Sequence, residues 1–335
     1  MQPKAPLLPS PPSELRSSLH RTWSWTGPLS NASITSLQQV YCSPLETSSS
    51  YEDLASKCFD GYRLVTKEQA PEWCVDNEYI LSGYRTRFSL PLCIHSVVRL
   101  HNETGNIWSH LIAFVVFFLL LFHVLEAVSK TGSFVDKLLW TTFVLSAQGC
   151  WLVSSVYHTF SCHSYTACAL VANLDYSGIS THICCSWMLL ANYLFYCEPL
   201  TKFCYVTTVA SFCIVRLLFP SLGARSRTGR MLLFPAMALF GIVPMVHWIL
   251  LRGYTSNVVQ LFWWRFPLDW GIFSIGFVAY ATRFPERLAP GKFDIWFHSH
   301  QWWHVFVSLG AYYFYHIHRD FVRFYEAQQC SPLHL

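Results

Sequence analysis

The chain has 335 residues, 53% hydrophobic, 17% aromatic and only 13% charged, with a mean hydropathy of +0.30. Soluble domains carry about 25% charged residues, so a water-soluble globule of this size is excluded and a polytopic membrane protein is the reading. A net charge of +4 scattered along the chain gives no argument for a nucleic-acid partner. Thirteen cysteines, mostly inside apolar runs and without paired C-x-x-C spacing, indicate reduced thiols packed as small hydrophobes, not a disulfide framework or a thiolate zinc site.

From Met1 to about Ser50 the chain is rich in Pro and Ser and has no sustained apolar run. Residues 1–50 are therefore expected to be disordered, and without an apolar h-region after Lys4 they do not read as a secretory signal. Residues 51–106 form a cytoplasmic or interfacial region, with short helices and turns over Tyr51–Arg87. Leu90, Ile94, Val97 and Val98 then recur at helical spacing, which predicts a short amphipathic helix over Leu90–Leu100.

A membrane span needs about 20 predominantly apolar residues. Seven candidates follow, roughly Ile107–Val128, Leu138–Phe160, Leu170–Tyr196, Phe203–Leu222, Met231–Leu251, Leu268–Thr282 and Asp294–Ile317. Their short connections place successive helices side by side. The fold class is an all-α membrane protein, a seven-transmembrane bundle over residues 107–318 with a short non-cytoplasmic tail at 319–335. Lys and Arg give a small lean toward a cytoplasmic N-terminus. Such a topology leaves the sequons at Asn31 and Asn102 unused. Polar groups within the spans, such as Asn192 and His247, must turn inward.

One stretch concentrates chemistry: Phe297-His-Ser-His-Gln-Trp-Trp-His304 at the mouth of the seventh span. On a helix His300 and His304 lie one turn apart on one face, while His298 points elsewhere. With seven spans, the end of span two and the starts of spans three and seven share one leaflet. That parity brings His158, with Ser154 one turn before it, and Asp175 to the side of His300 and His304. Three imidazoles suit Zn²⁺, whose catalytic sites keep a fourth position open for water. Asp175 is then either a direct ligand or the group that takes a proton from that water, and Ser154 orients the water or polarises a substrate carbonyl. His110, His123 and His247 read as interhelical hydrogen-bonders and His163 as a solvated loop residue. Tyr312, Tyr313, Tyr315, His316 and His318 read as an interfacial aromatic belt.

Several ordered stretches carry a family resemblance. They are Asn102-Glu-Thr-Gly-Asn-Ile-Trp-Ser-His110, Ser154 to His158 continuing to His163, Leu174-Asp-Tyr-Ser-Gly178, Pro285-Glu-Arg287, Pro290-Gly-Lys-Phe-Asp294, and Ser299-His-Gln301 to His304. From about Cys58 to its end the chain resembles the progestin and adipoQ receptor family, which includes the adiponectin receptors and the haemolysin-III-like proteins. The resemblance implies a seven-helix receptor-like fold with a cytoplasmic N-terminus and a zinc ion held by His158, His300 and His304. It also implies Asp175 and Ser154 beside the metal-bound water. The adiponectin-receptor branch implies zinc-dependent hydrolysis of a lipid amide, ceramide, under an extracellular protein hormone. Asn77 to Ile80, Gly83 to Arg85, Leu92 to Ile94, and Val243-Pro244 with His247-Trp248 are similar to a Golgi branch. That branch tethers Raf kinase through its cytoplasmic N-terminal region and dampens MAP-kinase signalling. Two functions follow, with membrane lipids as neighbours in both: a Golgi-membrane tether in which zinc is a structural staple, or a hydrolase, with the plasma membrane as the alternative location.

Overall fold

The computed structural model describes residues 62–131, 133–219 and 226–328, with the backbone alone at 125–131 and 326–328. The expected disordered stretch 1–50 lies outside the described residues. The short helices and turns expected before the bundle are present as two 3-10 helices, Lys67–Gln69 and Glu72–Cys74. They are enclosed by an antiparallel strand pair the sequence did not suggest, β1 (Leu64–Val65) with β2 (Tyr84–Arg85). α1 (Leu90–Ser96) starts at Ser89, whose side chain accepts from the Leu92 N–H. It is shorter than the expected Leu90–Leu100 helix. Its inner face buries Leu92, Cys93 and Ser96, and the predicted apolar stripe lies outside, with Ile94 61% and Val98 72% exposed. An apolar face turned away from the protein is what an interfacial helix offers to lipid.

The bundle follows as α2 (Thr104–Thr131), α3 (Phe134–Phe160), α4 (Tyr165–Leu194), α5 (Pro199–Leu218), α6 (Arg227–Leu239), α7 (Ile242–Arg252), α8 (Asn257–Phe262), α9 (Arg265–Thr282) and α10 (Ser299–Gln328). Short polar caps delimit these helices. Ser133 and Asp136 close a capping box at α3, Ser164 caps α4, and Pro199 opens α5. Successive helices α2 to α5 pack on one another, α10 packs on α9, and α10 also meets α2 and α4, which closes the bundle. Thr104–Val124, Phe134–Phe160, Pro199–Leu218 and the α6–α7 pair are long and apolar enough to cross a membrane by length and composition. The protein is an all-α membrane protein. α2 leaves Ile112, Val115, Phe118, Leu119 and Phe122 exposed, and α5 leaves Phe203, Phe212, Ile214 and Leu218 exposed, a surface that suits hydrocarbon and not water.

Two expected boundaries are corrected. The fifth span is one apolar run but two helices, broken at Phe240–Gly241. Pro244 cannot donate to the Phe240 carbonyl and its ring crowds it. Gly241 lies against Trp187, so closely that a Cβ there would come within 2.4 Å of the indole. The seventh span starts at Ser299, not Asp294. Asp294 is instead a buried loop anchor that accepts from the Leu81 N–H (2.9 Å) and the Ser82 hydroxyl (2.6 Å). Glu286, fully buried, caps α10 by accepting from the Ser299 N–H and hydroxyl, and also holds Asn77 Nδ2. A carboxylate at a helix N-terminus meets both the free N–H groups and the positive end of the helix dipole. The Pro285 to Asp294 motifs therefore tie the segment before the bundle to the last helix.

At the end of the bundle away from this cap, Trp140, Phe143, Tyr193, Phe314, Tyr315 and Phe321 form the core. Tyr315 and His318 are buried there, not in an interfacial belt, whereas Tyr312 faces outward. Asn192 does turn inward, donating to Asp136 at 2.7 Å, and His123 and His247 make the expected interhelical bonds to Tyr315 and Tyr205. Cys197, which follows α4, is disulfide-bonded, so the all-thiol expectation fails at that residue. The nine other described cysteines are free.

Candidate metal centre

Two helix ends carry the three histidines. His158 stands in the last turn of α3, its carbonyl held, with that of Thr159, by the buried Arg85 guanidinium. Arg85 satisfies end-of-helix carbonyls with a cation, which fixes where α3 stops and so where His158 sits. His300 and His304 come from the first two turns of α10, one turn apart, with ring centroids 4.6 Å from each other. Each of those two rings has its centroid 5.0 Å from that of His158. One nitrogen from each histidine lies within 4.8 Å of the other two, the single group of this kind among the described residues.

The donor set fits a tetrahedral ion. Two nitrogens bonded to zinc at about 2.0–2.1 Å and a tetrahedral angle lie roughly 3.3–3.4 Å apart, and His300 Nε2 lies 3.3 Å from His158 Nε2. Three neutral imidazoles are borderline ligands that suit zinc as they suit copper, iron and nickel. His158 and His304 are 3% and 2% exposed, so an ion there would be removed from bulk water.

Asp175, from the first half of α4, is buried beside the Ser154 hydroxyl and within electrostatic reach of His158. Its Oδ1 has no protein partner, nor has either ring nitrogen of His110 or the Trp151 indole N–H. His110 was expected to be a satisfied interhelical hydrogen-bonder. It instead stacks on His304 at 3.6 Å and packs against Trp151. Buried polar atoms left without partners are costly unless water, an ion or a ligand answers them, and here four such atoms surround the three histidines.

His298 is not in the cluster. Its Nε2 donates to the Asn102 carbonyl at 3.1 Å, which fastens the start of α10 to the start of α2. His163 is also corrected: it is partly buried and its Nδ1 meets the Phe88 carbonyl at 2.7 Å. Asn102 is buried, so its sequon has no room for a glycan.

Sequence reasoning missed three groups behind the ligands. Glu103 Oε2 lies 2.8 Å from His158 Nδ1. The Asn106 carbonyl and Ser109 Oγ lie 3.2 and 3.0 Å from His304 Nδ1. The available signal was a carboxylate at the mouth of an apolar run, the same signal that marks Asp175.

Over residues 98–315 the sequence matches the family described as haemolysin-III related. It is 34% identical to the progestin and adipoQ receptor-like protein 1 of Caenorhabditis elegans, over 81% of this chain and 64% of that protein. Identity to the heptahelical transmembrane protein 1 of Arabidopsis thaliana is 39%, over 74% of this chain and 78% of the plant protein. The progestin and adipoQ receptor family member 3 of Mus musculus is 36% identical, over 75% of this chain and 84% of its own length. The chain thus spans a little under two thirds of the nematode protein. A bundle of apolar helices and these matches lead to one conclusion: the chain belongs to the haemolysin-III-related family of progestin and adipoQ receptors and is an integral membrane protein.

Proposed function

We propose that this protein is a zinc-dependent lipid amide hydrolase of the adiponectin-receptor type, with ceramide as the substrate class and the site in the cytoplasmic leaflet. The observation that carries the reading is the Asp175 Oδ1, buried and unpartnered beside three converging imidazoles. A centre serving only as a staple would need its ligands satisfied and nothing more. Here a carboxylate oxygen, both nitrogens of His110 and the Trp151 indole N–H are left without protein partners near the histidines. When bound, zinc supplies Lewis acidity that polarises a carbonyl and makes water acidic near neutral pH. Asp175 then takes the proton from the attacking water and returns it to the departing amine, while Ser154 orients the water or the amide oxygen. His110 and Trp151 offer hydrogen bonds to the substrate's polar head, and the surrounding helices exclude bulk water.

The test is ceramide turnover by the purified protein and by Asp175→Asn. The variant should keep its metal and its melting temperature and lose about 10²–10⁴-fold in rate, the usual contribution of a positioned base. Equal turnover in both would remove the reading.

A second reading is a Golgi-membrane regulator whose cytoplasmic N-terminal region holds Raf kinase. It rests on the resemblance of Asn77 to Ile80 and Gly83 to Arg85 to the Golgi branch. Co-purification of Raf with the full chain, lost on deleting residues 1–50, would support it. A plasma-membrane pool with no Golgi signal would count against it.

A further inference from the structure

Asn102 to His110 carries the family resemblance, yet the hydrolytic reading uses only His110. The structure shows what the rest of the stretch touches. The Asn102 carbonyl accepts from His298 and the Thr104 hydroxyl accepts from the His101 N–H, so the turn is fixed from both sides. Gly105 lies against Gln301, the residue after His300, so closely that a Cβ would come within 2.3 Å of the Gln301 carboxamide carbon. That carboxamide cannot easily yield, because it accepts from the Phe297 N–H at 2.6 Å and donates to the Ile295 carbonyl at 2.8 Å. Glycine is therefore what lets the first turn of α2 sit directly on the first turn of α10.

Once there, the turn meets the rear nitrogen of two of the three histidines. Glu103 faces His158 Nδ1 at 2.8 Å and is itself held by Asn106 Nδ2. The Asn106 carbonyl faces His304 Nδ1 at 3.2 Å, and the Ser109 hydroxyl, whose proton goes to that same carbonyl, faces it too. A carboxylate and a carbonyl can only accept, so both Nδ1 atoms must carry their protons. In a neutral imidazole the proton on one nitrogen leaves a lone pair on the other.

We infer that the start of α2 and the residue just before it are the outer shell of the metal centre, with Glu103 and the Asn106 carbonyl fixing His158 and His304 in the tautomer whose Nε2 is free to bind an ion. Glu103 is thus a positioning residue, acting through His158. Carboxylate–histidine–metal arrangements of this kind orient the ring and raise its basicity, and their loss typically weakens metal binding 10- to 100-fold. The inference rests on the proposed zinc site but not on any hydrolysis.

The experiment is a zinc titration of the full-length protein in detergent against a chromophoric chelator, for wild type, Glu103→Gln and Glu103→Asp. Gln keeps the shape and an accepting oxygen but loses the charge. Asp keeps the charge but draws it back from His158. Both should bind zinc about 10- to 100-fold more weakly than wild type, measured on variants whose metal-free helical content matches wild type. Wild-type affinity in either folded variant would overturn the inference. Wild type that takes up no zinc would instead overturn the metal reading beneath it.

Discussion

Both ends of the bundle bury polar side chains and both leave some unpartnered, Asn192 Oδ1, Asp269 Oδ1 and His318 Nε2 at the end away from the cap. Among the described residues, only the cap end sets such atoms beside three converging imidazoles. Away from the cap, Asp136 pairs with Asn192, Trp140 Nε1 donates to the Tyr193 hydroxyl at 2.7 Å, and Tyr315 bonds His123. Around His158 and the two α10 histidines, Asp175 Oδ1, both His110 nitrogens and the Trp151 indole N–H are unanswered by protein. A paired polar group in a membrane bundle adds specificity to helix packing, since its alternative in hydrocarbon is an unmade bond. An unpaired group at the same depth keeps a cost that folding alone does not recover. Beside three imidazoles able to share one ion, such a group is the natural partner of a non-protein ligand, a conjunction the far end lacks among the described residues.

The comparison breaks most directly at the histidines. His300→Ala should lower bound zinc from about one ion per chain to near zero by elemental analysis, since two imidazoles do not hold a structural or catalytic zinc. Metal content equal to wild type would place the ion elsewhere. The Asp175→Asn result described above comes next in size, and it separates the two roles: rate lost, metal and fold retained.

The opposite end should respond in stability and not in metal. Asp136→Ala leaves Asn192 Nδ2 unpaired and removes the acidic half of the α3 capping box. The expected loss is about 1–3 kcal/mol in thermal or denaturant unfolding, with zinc content unchanged. A fall in zinc would mean that the two ends are coupled.

The pH-dependent effect belongs to the cap. Burial drives His101 down to about 3 from an ordinary 6.5, with the nearby Arg85 charge acting in the same direction. The folded state therefore binds fewer protons than the unfolded chain between these values. Stability is fully present above about pH 6.5 and falls as pH drops through the window. With chelator present to remove any contribution from metal, His101→Gln should show a shallower decline than wild type between pH 6.5 and pH 4. Parallel curves would show that His101 is not the group responsible.

Much of the candidate site was legible before the fold. His300 and His304 carry their geometry in their spacing, because one helical turn fixes their relation wherever the helix goes. Parity of spans supplied His158 and Asp175, because an antiparallel bundle sorts residues by leaflet before any packing is known. Glu103, Asn106 and Ser109 were not legible as ligand supports. Their roles depend on the distance between two helix starts nearly two hundred residues apart, set by Gly105 against Gln301. His110 was misjudged for the same reason: which face of α2 meets α10 decides whether its ring finds a bond or stacks on His304. The α6–α7 break and the late start of α10 were hidden too, since apolar composition continues across both and only Pro244, Trp187 and the buried Asp294 interrupt the helix.

By itself the sequence determined the solvent and the parts. So little charge requires a membrane, the apolar runs require helices, and the one-turn spacing of His300 and His304 requires a shared face. Tertiary structure alone decided which polar groups were answered. A hydrogen bond depends on tenths of an ångström between elements far apart in the chain, and no local pattern encodes that distance.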